Sequence, residues 1–174
     1  MKIFPKGGIV LTITTNDRTI INKVTINAPL HLVWYAWTIS ERVSEWFAPE
    51  AFIEAIEGGA YELYFIPGNT NEMNTKECKI IKLVEEKELR FTWKGPDQFD
   101  SIMNSENELT TVNVSFEQVD TETTKVIVEH SGFKEDNIWK EAFEWHQMAW
   151  SGVLSSLKSA LEKGEGSLCC QPIK

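Results

Sequence analysis

The sequence predicts an α+β domain in which an antiparallel sheet is covered on one face by a single long C-terminal helix. Three observations lead there. Several stretches alternate apolar and polar residues with a period of two, the pattern of strands with one buried face. From about Asn137 to Lys163 the period changes to that of a helix, over a length that strands rarely reach. A chain of 174 residues with 42% hydrophobic content suits one domain around one core.

Residues 1–18 hold a short apolar run and then "TTND", and are expected to form an arm or an extra strand. "TIINKVTINAP" follows, with Ile20, Val24, Ile26 and Ala28 on one face of a strand. Pro29 suits a first helical turn, and "PLHLVWYAWTI" places Leu30, Val33, Trp34 and Trp37 at helical spacing. Ser40 is read as the N-cap of a second short helix, "SERVSEWFA", which Pro49 stops. "EGGAYELYF" then gives a turn at Gly58–Gly59 and a strand with Tyr61, Leu63 and Phe65 on one face. "PGNTNEMN" reads as a polar loop, and "KECKIIKLV" as a strand whose inward face is open. "ELRFTW" turns Leu89, Phe91 and Trp93 inward. Residues 95–107 form a long polar connection, expected to act as a lid or rim. Two strands close the sheet, with Val112, Val114 and Phe116 inward on the first and Val126, Val128 and His130 inward on the second. The final helix ends at Gly164 and Gly166, and 165–174 is expected to be a disordered tail. The single domain spans 19–164.

Composition narrows the partners. A net charge of -9 argues against nucleic acid and anionic membranes. "GGIVLTI" is too short for a signal-peptide core and no apolar run approaches a membrane span, so the expected location is cytoplasmic. Three cysteines, with Cys169 and Cys170 adjacent, make no disulfide framework and no metal set. No cofactor motif is present.

The final helix changes character along its length. Trp139, Ala142, Phe143, His146, Ala149, Trp150, Val153, Leu157 and Ala160 fall in one stripe, bulky and aromatic in the first half and aliphatic in the second. Trp145 lies at the edge of the stripe, and Met148 points away from it.

"VTINAPLHLVWYAWTISERVSEWFAP", "GGAYELYF", "ELRFTW", "VIVEHSGF" and "AWSGVLSSLKSALE", in this order, resemble the SRPBCC, or START-like, superfamily. Within it they look like the branch of homologues of the activator of heat-shock protein 90 ATPase. The similarity spans roughly Thr19 to Glu162. It implies a helix-grip fold, a curved antiparallel sheet wrapped around the long helix, with a deep apolar cavity between them. The polar stretch 95–107, at the expected cavity mouth, is longer than that pattern expects.

On that expectation the open end of the grip is lined by Trp37, Trp46, Phe65, Phe91, Trp93, Val128, His130, Trp139, Phe143, His146 and Trp150, while Val153, Leu154, Leu157 and Leu161 pack the tight end. His146, central in the stripe, reads as a satisfied core histidine, as a polar anchor for a ligand, or as an acid–base group. As an anchor it should be replaceable by Leu without loss of stability. His130 can approach it across the cavity, but two histidines without a third ligand make no metal site.

The leading functional expectation is a binding module for a small hydrophobic or aromatic ligand. The alternative is an enzyme of START-like type, a cyclase, dehydratase or hydrolase, using a cavity histidine. Stimulation of the heat-shock protein 90 ATPase ranks third, because the eukaryotic activators carry a separate N-terminal domain and only one domain is read here. A homodimer paired through the edges Thr19–Ala28 or Thr110–Phe116 is also open.

Overall fold

The computed structural model describes residues 17–166. Most of the N-terminal arm, and the tail beyond Gly166 with Cys169 and Cys170, lie outside the described residues.

Five strands form the larger sheet. β1 (Asp17–Ile26) pairs with β8 (Thr123–Lys134), β8 with β7 (Thr110–Asp120), β7 with β6 (Glu88–Trp93), and β6 with β5 (Ile80–Val84). Every pairing is antiparallel. A smaller sheet holds β2 (Glu50–Ile53), β3 (Tyr61–Ile66) and β4 (Asn69–Asn74), in that order. Backbone bonds stitch the two together: Tyr61 N–H donates to the Cys78 carbonyl at 2.9 Å, and Ile80 N–H to the Gly59 carbonyl at 2.8 Å. The short helices α1 (Leu30–Thr38) and α2 (Ser40–Val43) follow β1, and α3 (Asp100–Met103) sits in the β6–β7 connection. The long helix α4 (Asn137–Lys163) closes the chain against the concave face. This is a helix-grip fold.

The alternation read from the sequence explains which faces meet. Ile26, Leu63, Leu89, Phe91, Val112, Val114, Val126 and Val128 are wholly buried, with Ala142 and Leu157 of α4 against them. Burying each large aliphatic side chain stabilises the fold by about 1.5–3 kcal/mol before entropy is counted. α4 runs over the bounds the periodicity predicts. Its N-terminus is capped by Asp136, whose carboxylate accepts from the N–H groups of Ile138 and Trp139 at 3.1 and 3.2 Å. Its C-terminus turns at Gly164, whose φ of 79° lies in the left-handed region open to glycine.

Several expectations are corrected. "PGNTNEMN" is no loop: after a turn at Pro67–Gly68 it forms β4. An edge strand of five polar residues and Met73, all exposed or half-exposed, buries no face, so it carries no apolar period. β2 was likewise hidden, with Phe52 on its outer side 51% exposed. Ser40 does not cap α2. Ile39 holds that position, and the Ser40 hydroxyl accepts from the Ile53 N–H at 2.9 Å, so the residue ties helix to strand. Pro29 stands at the N-cap of α1, one position before its first turn. Thr110–Phe116 is no edge, because β7 pairs on both sides; the edges of the larger sheet are β1 and β5. The undecided strand β5 turns Ile80 inward, and Ile81 outward. The connection 95–107 is folded rather than loose: Phe99 and Met103 are buried, and the Asn104 side chain both accepts from the Gly95 N–H and donates to its carbonyl, at 2.8 and 3.0 Å.

Tyr61 couples the sheets to α1. Its ring stacks on Phe91 at 4.0 Å, and its buried hydroxyl donates to the Trp37 carbonyl at 2.8 Å. Tyr61→Phe keeps the stack and removes only the hydrogen bond, leaving that carbonyl with one partner fewer. A loss of about 1–2 kcal/mol is expected in urea unfolding, with the m-value unchanged. A variant as stable as the parent would show that the bond adds nothing to α1 docking.

Candidate functional site

The aromatic half of α4 meets the sheet through two histidines. His146 on α4 and His130 on β8 are buried, with ring centroids 5.2 Å apart. Each accepts from an indole of the opposite layer. Trp93 on β6 donates its Nε1–H to His146 Nε2 at 3.2 Å, and Trp150 on α4 donates to His130 Nδ1 at 2.9 Å. An accepting nitrogen carries no proton in the neutral ring, so the other nitrogen must. His146 Nδ1–H therefore donates to the Ala142 carbonyl at 2.7 Å, and His130 Nε2–H to Thr110 Oγ1 at 2.8 Å. All four ring nitrogens have protein partners. Gly132 makes room for this contact: its φ is 101°, and a Cβ there would come within 3.3 Å of Thr110 Cα.

Rings fill the space where a deep cavity is expected. Phe133 lies 4.5 Å from His130 and 5.2 Å from His146, and Phe47 stacks on Trp93 at 5.9 Å. Beside these rings lie two small apolar pockets of about 30 Å³ each. One lies between Phe65, Met73, Trp93, Pro96 and Trp145, and the other between Phe47, Phe65, Trp145, His146, Trp150 and Val153. They share Phe65, Trp93 and Trp145.

Of the residues read as cavity wall, Phe65, Trp93, His146 and Trp150 line these pockets. His130 sits behind Trp93 in the histidine pair. Trp37 and Trp46 pack on one another at 4.7 Å, in the core under α1, where Trp46 Nε1–H donates to the Ala36 carbonyl. Phe91 is held by Tyr61, and Val128 is buried in β8. Trp139 and Phe143 pack around Phe133, at 6.2 and 5.5 Å. Val153, expected at the tight end, lines a pocket instead. Sequence reading missed Phe47 and gave Trp145 no role. Phe47 follows Trp46 in a turn after α2, outside any periodic element, and carries no spacing signal. Among the described residues there is no group of three His, Cys, Asp or Glu side chains placed to hold a metal, and no helix long and apolar enough to cross a membrane.

Burial sets the protonation of the pair. It pushes the His146 imidazole down to about 4, although the Ala142 carbonyl favours the proton. His130 is driven well below its ordinary 6.5, first by burial and then by neighbouring His146. The unfolded chain takes up protons near pH 6.5 that the native state refuses, so stability rises with pH through that window. It is complete above pH 6.5 and declines as pH falls toward 4, by on the order of 3 kcal/mol for His146 alone. His146→Leu leaves the buried Trp93 N–H without its acceptor. It should therefore cost about 1–3 kcal/mol at pH 7, contrary to the expectation for a pure anchor. The variant should also show a shallower fall in melting temperature between pH 6.5 and 4. An unaltered slope would assign the acid sensitivity to carboxylates elsewhere.

The model of the family described as "Activator of Hsp90 ATPase homolog 1-like protein" matches residues 27–162. No curated protein matches the chain. Among solved structures, the Aha1 dimer from Colwellia psychrerythraea is 22% identical with a TM-score of 0.68, over 86% of this chain and 99% of that one. The protein SSP2350 from Staphylococcus saprophyticus is 18% identical with a TM-score of 0.66, over 87% and 98%. PFC0360w, an HSP90 activator from Plasmodium falciparum, is 16% identical with a TM-score of 0.62, over 82% and 95%. At these identities the likeness is one of fold. The family match spans most of the domain, from the end of β1 nearly to the end of α4, and the chain belongs to the family of Activator of Hsp90 ATPase homolog 1-like proteins.

Proposed function

We propose that the aromatic end of the grip binds a small, flat, apolar molecule beside Trp145. The observation that carries this reading is the difference between that ring and its neighbours. Trp93 and Trp150 are pinned through their indole nitrogens to the two histidines. Trp145 lines both pockets and is half-buried; its ring meets Phe99 at 6.2 Å and His146 at 4.8 Å, and no hydrogen bond holds its indole among the described residues. A site for a drug-sized ligand needs about 300–1,000 Å³. The two small pockets reach that size only if the ring between them moves, and Trp145 is the ring free to do so at the cost of packing alone. Phe65, Trp93, His146 and Trp150 then form the wall, and the folded segment 95–104 forms the rim.

Acid–base catalysis gains no support from this geometry. A general base needs a lone pair within reach of the substrate, and each histidine lone pair already accepts an indole N–H. A second reading, stimulation of an Hsp90 ATPase, is favoured by the family description and by the Plasmodium falciparum neighbour, itself an HSP90 activator. Measuring the ATP turnover of Hsp90 with and without the chain separates the two.

The binding reading is tested by titrating the protein with naphthol and with a panel of fatty acids, flavonoids and aromatic acids. Saturable change in Trp fluorescence is expected. At about 100-fold excess over the dissociation constant, a ligand of the native state adds about 2.7 kcal/mol. For a domain of this size that raises the melting temperature by roughly 5–10 °C. Trp145→Ala joins the pockets permanently and should bind naphthol at least as tightly as the parent. A panel without any thermal shift, in parent and variant alike, would count against the reading.

A further inference from the structure

We propose that the molecule bound at this end carries a carboxylate, and that Lys94 holds it. This rests on the binding reading above and adds the chemical class of the ligand.

Lys94 follows Trp93 at the end of β6. The strand alternation that buries Trp93 turns Lys94 outward, to the point where the apolar pocket meets the surface. It is the one charged side chain lining the pocket between Phe65, Trp93 and Trp145. The same side chain lines two polar clefts of about 320 and 400 Å³ that adjoin this pocket. Lys94 is half-buried, yet its ammonium makes no ion pair and no hydrogen bond among the described residues.

Charges of both signs surround Lys94. Glu77, Asp97, Asp100 and Glu106 line the polar clefts, with Lys76 and Lys79. Two of those acids are engaged: both Asp97 oxygens accept from the Met73 N–H at 3.2 Å, and Asp100 accepts from the Asn104 amide at 2.9 Å. None of the four lines the apolar pocket, and neither do Lys76 and Lys79. A ligand whose flat body enters beside Trp145 therefore meets a single charge as it leaves the apolar wall, and that charge is positive. An anionic end gains a partner there in a partly desolvated setting. A neutral end gains nothing, and a cationic end is repelled.

The test uses three probes of one shape on the full chain: naphthoate, naphthamide and naphthylmethylammonium, titrated by Trp fluorescence at low ionic strength. The parent protein should bind naphthoate about three- to tenfold more tightly than the amide, and the ammonium most weakly. Lys94→Met should bring naphthoate down to the affinity of the amide. Lys94→Arg should keep the preference, and Lys76→Met, which touches only a polar cleft, should leave it intact. Equal binding of naphthoate and amide by the parent overturns the assignment of Lys94 while the binding site itself stands. Tightest binding of the ammonium overturns it in favour of the cleft acids. Absence of binding by all three removes the site and the carboxylate together.

Discussion

The aromatic end of this fold depends on a reciprocal exchange of hydrogen bonds between its two layers. The sheet offers an indole and an imidazole, Trp93 and His130; the helix offers the complementary pair, His146 and Trp150. Each tryptophan donates across to the other layer's histidine. Four large polar rings are buried this way with their nitrogens satisfied, which spares them the cost of unmade hydrogen bonds. The exchange also sets geometry. An indole held at both its apolar face and its N–H has one orientation, so helix and sheet keep a fixed separation here. Aliphatic packing at Leu154 and Leu157 sets no such direction.

α4 changes character along its length in step with this exchange. Val153, Leu154 and Leu157 of its second half are aliphatic, while the rings of its first half meet Phe47, Phe133 and Trp93. The result is a packed aromatic wall in place of a deep void. Apolar space survives beside Trp145, where no hydrogen bond fixes the ring among the described residues and the β6–β7 connection approaches from outside.

Much of the fold was legible because it rests on periodicity. Val112, Val114, Val126 and Val128 alternate cleanly, and the stripe of α4 runs from Trp139 to Leu157 with Gly164 to end it. The strands that escaped notice, β2 and β4, are edges with little buried area, and their sequences obey no apolar pattern because packing asks none of them. Ser40 misled for a related reason: a hydroxyl beside a short helix looks like a cap, and only the return of Ile53 from thirteen residues away shows its use. The site was less legible than the fold. His130 and His146 could be placed on facing surfaces by spacing alone. Their indole partners could not, because an N–H direction depends on rotamers that no pattern encodes. Phe47 lies in a turn, and Trp145 lies at the edge of its stripe, where spacing assigns it no partner.

The same physics bears on what the site can do. Two neutral histidines at a domain's centre invite a catalytic reading, since burial and pairing are how enzymes tune imidazoles. His146, with its affinity for protons pushed down to about 4, is a weak base, and its lone pair is spent on Trp93. To act, it would have to release the indole that orients it and undo the contact between layers. A site that instead works by admitting a molecule needs only its outermost ring to move, leaving the crossed histidine–tryptophan pairs in place as a rigid floor. On the proposed binding reading, rigidity beneath and freedom above would let the ordering cost fall on one side chain and not on the core.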